Sequence, residues 1–246
     1  MPEIRALIAA AGAGTRAGLP YPKTLHPVLG RPILLRLLDL LQPIDPAPTI
    51  VVSPEGRAAI AACIEEQGRA VSLVVQSMPT GMGDAILCFR DSPAFAAAEH
   101  LLVVWGDIPL IQQSTLDAMC DAHIQHGNDF TFATRIVDEA YTVVTRDASG
   151  GVTALIETRE AGLEPGPGER DIGLFIFRTR PLLDLLDQRL PGAVGRRTGE
   201  HGFLYAVAHA VAQGLCVEAL PIATELDLVS LNQLADLDVL ERAEQA

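Results

Sequence analysis

The chain has 246 residues, 49% hydrophobic and 20% charged, which is enough apolar material to bury a sizeable core in one large α/β domain. A formal net charge of −13 argues against non-specific binding to DNA, RNA or an anionic membrane, and leaves an anionic small molecule open where a pocket is locally positive or uses a metal. The apolar runs are too short or too interrupted to span a bilayer, and Glu3 and Arg5 lead at once into a strand-like run rather than a secretory signal. Strands and helices then alternate. "IRALIAA" (Ile4–Ala10) reads as a buried strand, and Pro32 opens a helix to about Leu41. Strands follow at Thr49–Ser53, Val71–Gln76 and His100–Asp107, with helices in "EGRAAIAACIEEQG", "MGDAILCFRD" and "QQSTLDAMCDAHIQHG". This order predicts an α/β chain with a mostly parallel mixed sheet covered on both faces, a Rossmann-like three-layer α/β/α arrangement. Three β-like runs come next, "DFTFATRI", "YTVVTRD" and "VTALIE", and "DASGG" reads as a hairpin turn. They are expected to extend the sheet and add a substrate-side lid. Glu160–Arg170 reads as a polar Gly/Pro-rich loop, "DIGLFIF" as a strand, Arg180–Arg189 as a helix, and helix, strand and helix close the chain. With no linker to cut it, 1–246 is expected to be one domain, in which 1–110 binds nucleotide and 111–246 binds acceptor.

Cys63, Cys88, Cys120 and Cys216 have no CxxC spacing, as expected of reduced thiols in a cytoplasmic protein. Cys120, His123 and His126 recur on one helix and could in principle hold zinc. A spacing of three drifts off one face and no fourth ligand is apparent, so a helix flank with a buried cysteine is the expectation.

The stretch "GAGTRAGLPYPKT" (Gly12–Thr24) invites comparison with known phosphate loops. It matches GxGxxA formally, but Pro20 and Pro22 forbid the regular helix that fingerprint needs, and no acidic residue ends the next strand at the required distance. A Walker A loop fails on glycine spacing. The remaining reading is a longer loop: glycines at 12 and 14 let backbone N–H groups point at a polyphosphate, Arg16 reaches terminal phosphates, and the prolines bring Lys23 back toward the reaction centre. Lys23 is the only lysine among 18 basic side chains. Either it is incidental on a solvated loop, or the position needs a compact ammonium rather than a planar fork.

"LIAAAGAGTRAGLPYPKTLHPVLGRPIL" resembles the hallmark of the sugar-phosphate nucleotidyltransferases, nearest to the uridylyltransferase domain of N-acetylglucosamine-1-phosphate uridylyltransferases. "QSMPTGMGDAI", "VVWGDIPLI", "ALIETREA", "RDIGLFIF", "GEHGFLYAVAHAVAQG" and "LNQLADL" resemble further segments of it, whereas the hexapeptide repeats of its bifunctional members are not found. The resemblance implies that a sugar-1-phosphate attacks the α-phosphorus of a nucleoside triphosphate, UTP favoured, with pyrophosphate leaving and Mg2+ bridging phosphate oxygens. It implies roles for Arg16 and Lys23 in catalysis. Ala10, Ala11, Gly12, Gly14, Gln76, Gly81 and Met82 would bind nucleotide, Trp105, Glu157 and Asp171 would bind acceptor, and Asp107 and Asn232 would bind metal, with Asp227 a rival to Asn232. Bland roles stand beside these: a turn cap for Asp107, a helix cap for Asn232, polar strand ends for Gln76 and Glu157, a core aromatic for Trp105. Met82 stands where the family usually has threonine, Asp171 where it has asparagine, and Arg159 near its lysine. Cytidylyl or guanylyl transfer to another phosphorylated acceptor, or a non-catalytic nucleotide-sugar sensor, are the alternatives; an NAD-dependent oxidoreductase is disfavoured by the prolines and the missing ribose acid.

Overall fold

The computed structural model describes residues 3–12 and 19–231. Its strands are β1 (Ile4–Ala10), the short pair β2 (Pro27–Val28) and β3 (Arg31–Pro32), β4 (Thr49–Val52), β5 (Ser72–Val75), β6 (His100–Trp105), β7 (Phe130–Ala140), β8 (Thr142–Arg146), β9 (Val152–Glu157), β10 (Gly166–Arg178) and β11 (Val217–Leu220). The helices are α1 (Ile33–Leu41), α2 (Arg57–Glu66), α3 (Met82–Leu87), α4 (Gln113–His126), the short α5 (Thr158–Ala161), α6 (Thr179–Asp187) and α7 (Tyr205–Ala212). Seven strands form one sheet in the order β11-β7-β10-β6-β1-β4-β5. Only β10 runs against its neighbours, β6 and β7.

The period of two along β6 explains the layers. Leu102 and Val104 face one core with Ile8, Ile50 and the leucines of α1, while α4 adds Leu116 and Met119. Leu101 and Val103 face the other, with Phe175 and Phe177 of β10 and the apolar sides of α3, α6 and α7. A strand buried on both faces must be apolar throughout, which is why β6 lacks the polar alternation of a one-sided sheet.

Two expectations fail here for physical reasons. Strands β8 and β9 form their own two-stranded sheet rather than extending the main one. Their turn is closed by Asp147, whose Oδ1 accepts from the N–H groups of Ser149 (2.8 Å) and Gly151 (2.9 Å). And β10 starts inside the expected loop, at Gly166, because β7 continues to Ala140 and pairs with it; Pro167 is tolerated at the irregularity between Gly166 and Gly168.

The Cys120–His123–His126 row is split as a helix flank would be. Cys120 is buried, and burial pushes its thiol up to about 12. His126 pairs with Glu218 at 2.8 Å. His123 Nε2 lies 2.9 Å from His100 Nδ1, and its Nδ1 lies 2.9 Å from Thr131 Oγ1. Among the described residues no three His, Cys, Asp or Glu side chains are grouped to hold a metal.

Burial first, then the neighbouring His100, brings His123 down to about 4 from its ordinary 6.5. Burial moves His100 in the same direction. Below about pH 6.5 the unfolded chain therefore takes up a proton that the folded state refuses. Stability is full above that pH and falls toward pH 4 by up to about 1.4 kcal/mol per pH unit for one such group. Thermal melts across pH 4–7 should show this slope, and His123→Gln, which cannot titrate, should flatten it whatever its effect on Tm at pH 7. An unchanged slope would place the titration elsewhere.

Candidate active site

The carboxyl ends of β1 and β6 meet where Gly106 N–H donates to the Ala9 carbonyl at 3.0 Å. A Cβ on Gly106 would sit 2.7 Å from that carbonyl oxygen, so no larger residue fits without moving a strand. Asp107 follows, at the sheet edge where open α/β folds bind ligands. Its Oδ2 accepts from Lys23 Nζ at 2.6 Å, and Lys23 also donates to the Leu231 carbonyl at 2.9 Å. Leu231 N–H in turn donates to the Asp107 carbonyl at 2.9 Å. Lys23 is delivered by a single 3-10 turn, Lys23–Leu25, that starts after the extended Pro22. Both side chains of the ion pair are 19% exposed, so neither is sealed from a ligand.

Two cavities meet at this pair. The smaller, about 120 Å³, is lined by Ala9, Ala10, Gly12, Lys23 and Thr24. The larger, about 440 Å³, has Glu157, Arg159, Glu160, Arg170 and Glu200 in its wall, with Tyr141 and Phe203. Met82, Trp105 and Asp107 border both.

The expected residues divide into several groups. Ala10, Gly12, Lys23, Met82, Trp105, Asp107 and Glu157 all line one or both cavities. Gly14, Arg16 and Asn232 lie outside the described residues. Ala11 is buried in the core on the α3 side of the sheet. Gln76 is also buried, and its amide donates to the Gly81 carbonyl at 3.0 Å; neither residue is part of a cavity wall. Gly81 has φ +115°, and a Cβ there would overlap the His201 backbone, so the neighbouring chain rather than a base accounts for this glycine.

Asp171 departs most from expectation. It is fully buried, with Oδ1 taking the Thr142 hydroxyl at 2.6 Å and Oδ2 the Gly173 N–H at 2.9 Å. Burial raises its carboxyl above the usual range. The β10 pairing with β7 is irregular between Asp171 and Phe175, and Gly173 at φ +75° folds back onto that carboxylate. Asp171 therefore cannot receive acceptor hydroxyls. Asp227 is excluded as a metal ligand on similar grounds. It is fully buried and accepts from Gln112 N–H, the Thr115 hydroxyl, and the N–H and hydroxyl of Thr224, at 2.6–2.9 Å.

Glu157 is raised above the usual carboxylate range by burial, against the pull of Arg159, whose Nη2 donates to it at 3.0 Å. Glu160 is held below its usual range by the Arg197 N–H at 2.7 Å, which also docks the 195–200 loop. Sequence reasoning missed Tyr141, Glu160, Arg170 and His201. All four lie in segments read as strand, loop or family-like, but nothing in their spacing set them apart from surface residues.

Residues 6–162 match the MobA-like NTP transferase domain family. The chain belongs to this family. This nucleotidyltransferase domain is 30% identical over 244 residues to the bifunctional protein GlmU of Burkholderia orbicola, covering 97% of this chain and 51% of that one. The corresponding protein of Streptomyces avermitilis is 32% identical over 248 residues, with 96% and 51% covered. The chain thus spans about half the length of these curated relatives. In fold it is similar to a Bacillus anthracis protein assigned as a glucose-1-phosphate thymidylyltransferase and crystallised with sucrose (TM-score 0.77, 15% identity, 98% and 95% covered). HddC of Yersinia pseudotuberculosis has the same architecture (TM-score 0.69, 17% identity, 97% and 99% covered). No helix among the described residues is long and apolar enough to cross a membrane.

Asp227→Asn puts an amide where four donors converge, so it should cost about 1–3 kcal/mol of stability. The checks are a thermal melt and a magnesium titration of activity, with Tm expected to fall and the metal requirement to stay. The reverse pattern would return Asp227 to the metal site.

Proposed function

We propose that the protein transfers a nucleoside monophosphate from a nucleoside triphosphate, UTP favoured, to a sugar-1-phosphate with release of pyrophosphate. The observation that carries this reading is the Lys23–Asp107 pair at the boundary of two cavities, one beside the glycine loop and one on the acceptor side. The 1–110 half takes the nucleotide and the 111–246 half the acceptor. In the reaction an acceptor phosphate oxygen forms a bond to the α-phosphorus, and the bond from that phosphorus to the bridging oxygen of pyrophosphate breaks. Such transfer needs position and charge neutralisation more than covalent chemistry. Lys23 supplies a point charge, Gly12 leaves the backbone open to phosphate, and Arg16 is assigned to the terminal phosphates. Trp105 forms the wall between donor and acceptor.

The resident cation of this reading is Mg2+. Asp107 fits it: its carboxylate is partly open and already holds the Lys23 ammonium, a cation standing on the same oxygen. Asp107 and Asn232 would hold the ion, which when bound would neutralise phosphate oxygens. Were Asp107 to hold that ion, the Lys23 ammonium beside it would be the charge left to meet a phosphate oxygen. The name given to the Bacillus anthracis protein, a glucose-1-phosphate thymidylyltransferase, supports sugar-phosphate chemistry, and a cytoplasmic setting belongs to the same proposal. Pyrophosphate release over a matrix of four nucleoside triphosphates and a panel of sugar phosphates tests the whole; release with CTP or GTP instead would select the cytidylyl or guanylyl alternative, and none at all the sensor.

Two substitutions sharpen it. Lys23→Arg should leave Tm within a few degrees and remove most turnover, because a planar fork cannot take the place of a compact ammonium. Asp107→Asn should raise the magnesium needed for half-maximal rate and lower the maximum. Wild-type turnover in the first, or unchanged metal dependence in the second, would remove that residue from the mechanism.

A further inference from the structure

Arg170 is nine-tenths buried, yet it is one of the residues that line the larger cavity. Its Nε donates to the Asp171 carbonyl at 3.2 Å and its Nη2 to Tyr141 Oη at 2.6 Å, with the guanidinium carbon 3.9 Å from the centre of the Tyr141 ring. These contacts fix its plane. Nη1 has no protein partner among the described residues, and it is not one of the buried polar atoms shut away from solvent. It therefore opens to the cavity. The other guanidinium of this wall, Arg159, is matched by Glu157 at 3.0 Å and Glu160 at 3.7 Å. Among the described residues Arg170 has no such salt bridge; the carboxylate next to it in sequence, Asp171, is hydrogen-bonded to Thr142 and Gly173, although the Arg170 charge still acts on it. A buried cation with no carboxylate in direct contact leaves an edge on which a ligand oxyanion would be favoured. Burial raises the phenol of Tyr141, which holds Arg170, and the charges of Asp171 and, less strongly, Asp107 act in the same direction, against that of Arg170.

Resting on the nucleotidyl-transfer reading, we infer that Arg170 is the acceptor's anion receptor: its open Nη1 edge binds an oxygen of the acceptor phosphate and turns that phosphate toward Asp107 and Lys23. Tyr141 is a positioning residue that acts by fixing the guanidinium plane. Arginine suits the task because a rigid fork sets the direction of the oxyanion as well as neutralising it. Glu157 is then left to read hydroxyls beyond the phosphate.

The test separates binding from turnover. Trp105 is the only tryptophan and borders both cavities, so its fluorescence, alongside calorimetry, can follow titrations with inorganic phosphate, a sugar phosphate and the same sugar without phosphate. No nucleotide or metal is added. Arg170→Gln should weaken phosphate and sugar-phosphate binding by about tenfold or more. Arg170→Lys, which keeps the charge without the fork, should recover part of it. The unphosphorylated sugar should bind alike to all three proteins. A Lys23→Gln background should retain the Arg170-dependent component, which keeps the smaller cavity from imitating the result. In turnover the Arg170 variants should raise the KM for acceptor and leave the KM for nucleoside triphosphate in place, a split that a merely structural clamp would not give. Wild-type protein that binds no phosphate, Arg170 variants that bind it as well as wild type, or an equal loss for the unphosphorylated sugar overturns the assignment. If no nucleotide and acceptor release pyrophosphate while phosphate binding still depends on Arg170, the transfer reading falls and the receptor stands.

Discussion

Gly106 lets two strand ends touch where a side chain would not fit, and the site follows from that contact. The N–H of Gly106 on the Ala9 carbonyl sets the next residue, Asp107, directly over the end of β1. Lys23 comes to the same point on a 3-10 turn that starts after the extended Pro22. Leu231 reaches it from the far end of the chain and bonds both partners through its backbone. Three segments remote in sequence are thus tied by one ion pair and two hydrogen bonds. The pair is partly exposed, so its own contribution to stability is modest. Its importance lies in geometry: an ammonium and a carboxylate are held at contact distance where the two cavities join.

The acidic surface and the anionic substrates of the proposed reaction are compatible for the same reason. A net charge of −13 repels phosphate over long distances, but fields within a low-dielectric cleft are dominated by the nearest groups. Lys23, Arg159 and Arg170 are all at the cavities, and the first two are matched by carboxylates that a metal or hydroxyls could engage instead. Glu160 has a different task. Its bond from the Arg197 N–H holds the loop that forms the outer wall, and Gly195 leaves room for that carboxylate. Acidic residues of this wall are therefore not interchangeable: one shapes the cavity and another faces into it.

Most of the fold was legible because both-face burial writes itself as apolar runs, and β1, β4, β5 and β6 were read within a residue or two of their ends. The start of β10 was illegible, since a Gly/Pro-rich segment becomes strand only when β7 is present to pair with it. The same limit governed the site. Lys23 and Asp107 stood out by rarity and by position at a strand end, both local signals. Asp171 matched a pattern of residue type, but the irregular pairing around Gly173 turned its carboxylate inward, and a direction of that kind depends on a bulge that sequence spacing does not encode. Arg170 is the complement of that error. With the strand bent at this point, Asp171 is satisfied from within and the residue before it lines the cavity.

His201 shows why the segment that opens α3 and the loop before α7 must be understood together. Its N–H donates to the Thr80 carbonyl at 2.7 Å, and its carbonyl accepts from Gly83 at 2.9 Å. Its ring lies 2.8 Å from Asp84 and 3.1 Å from the Tyr205 hydroxyl. Burial pushes the Asp84 carboxyl up, but the His201 and Thr80 hydrogen bonds and Arg189 outweigh it and hold the group below its usual range. The segment carrying Gly81 and Met82 is thereby fastened to the loop that carries Glu200 and Phe203. Because the backbone of His201 fills the space beside Gly81, a side chain at that glycine would push the two segments apart. Met82, which borders both cavities, sits on that fastening. Any shift of the loop carrying His201 is passed through two backbone hydrogen bonds to the segment of Met82, which borders both cavities, so the two cavities are mechanically coupled.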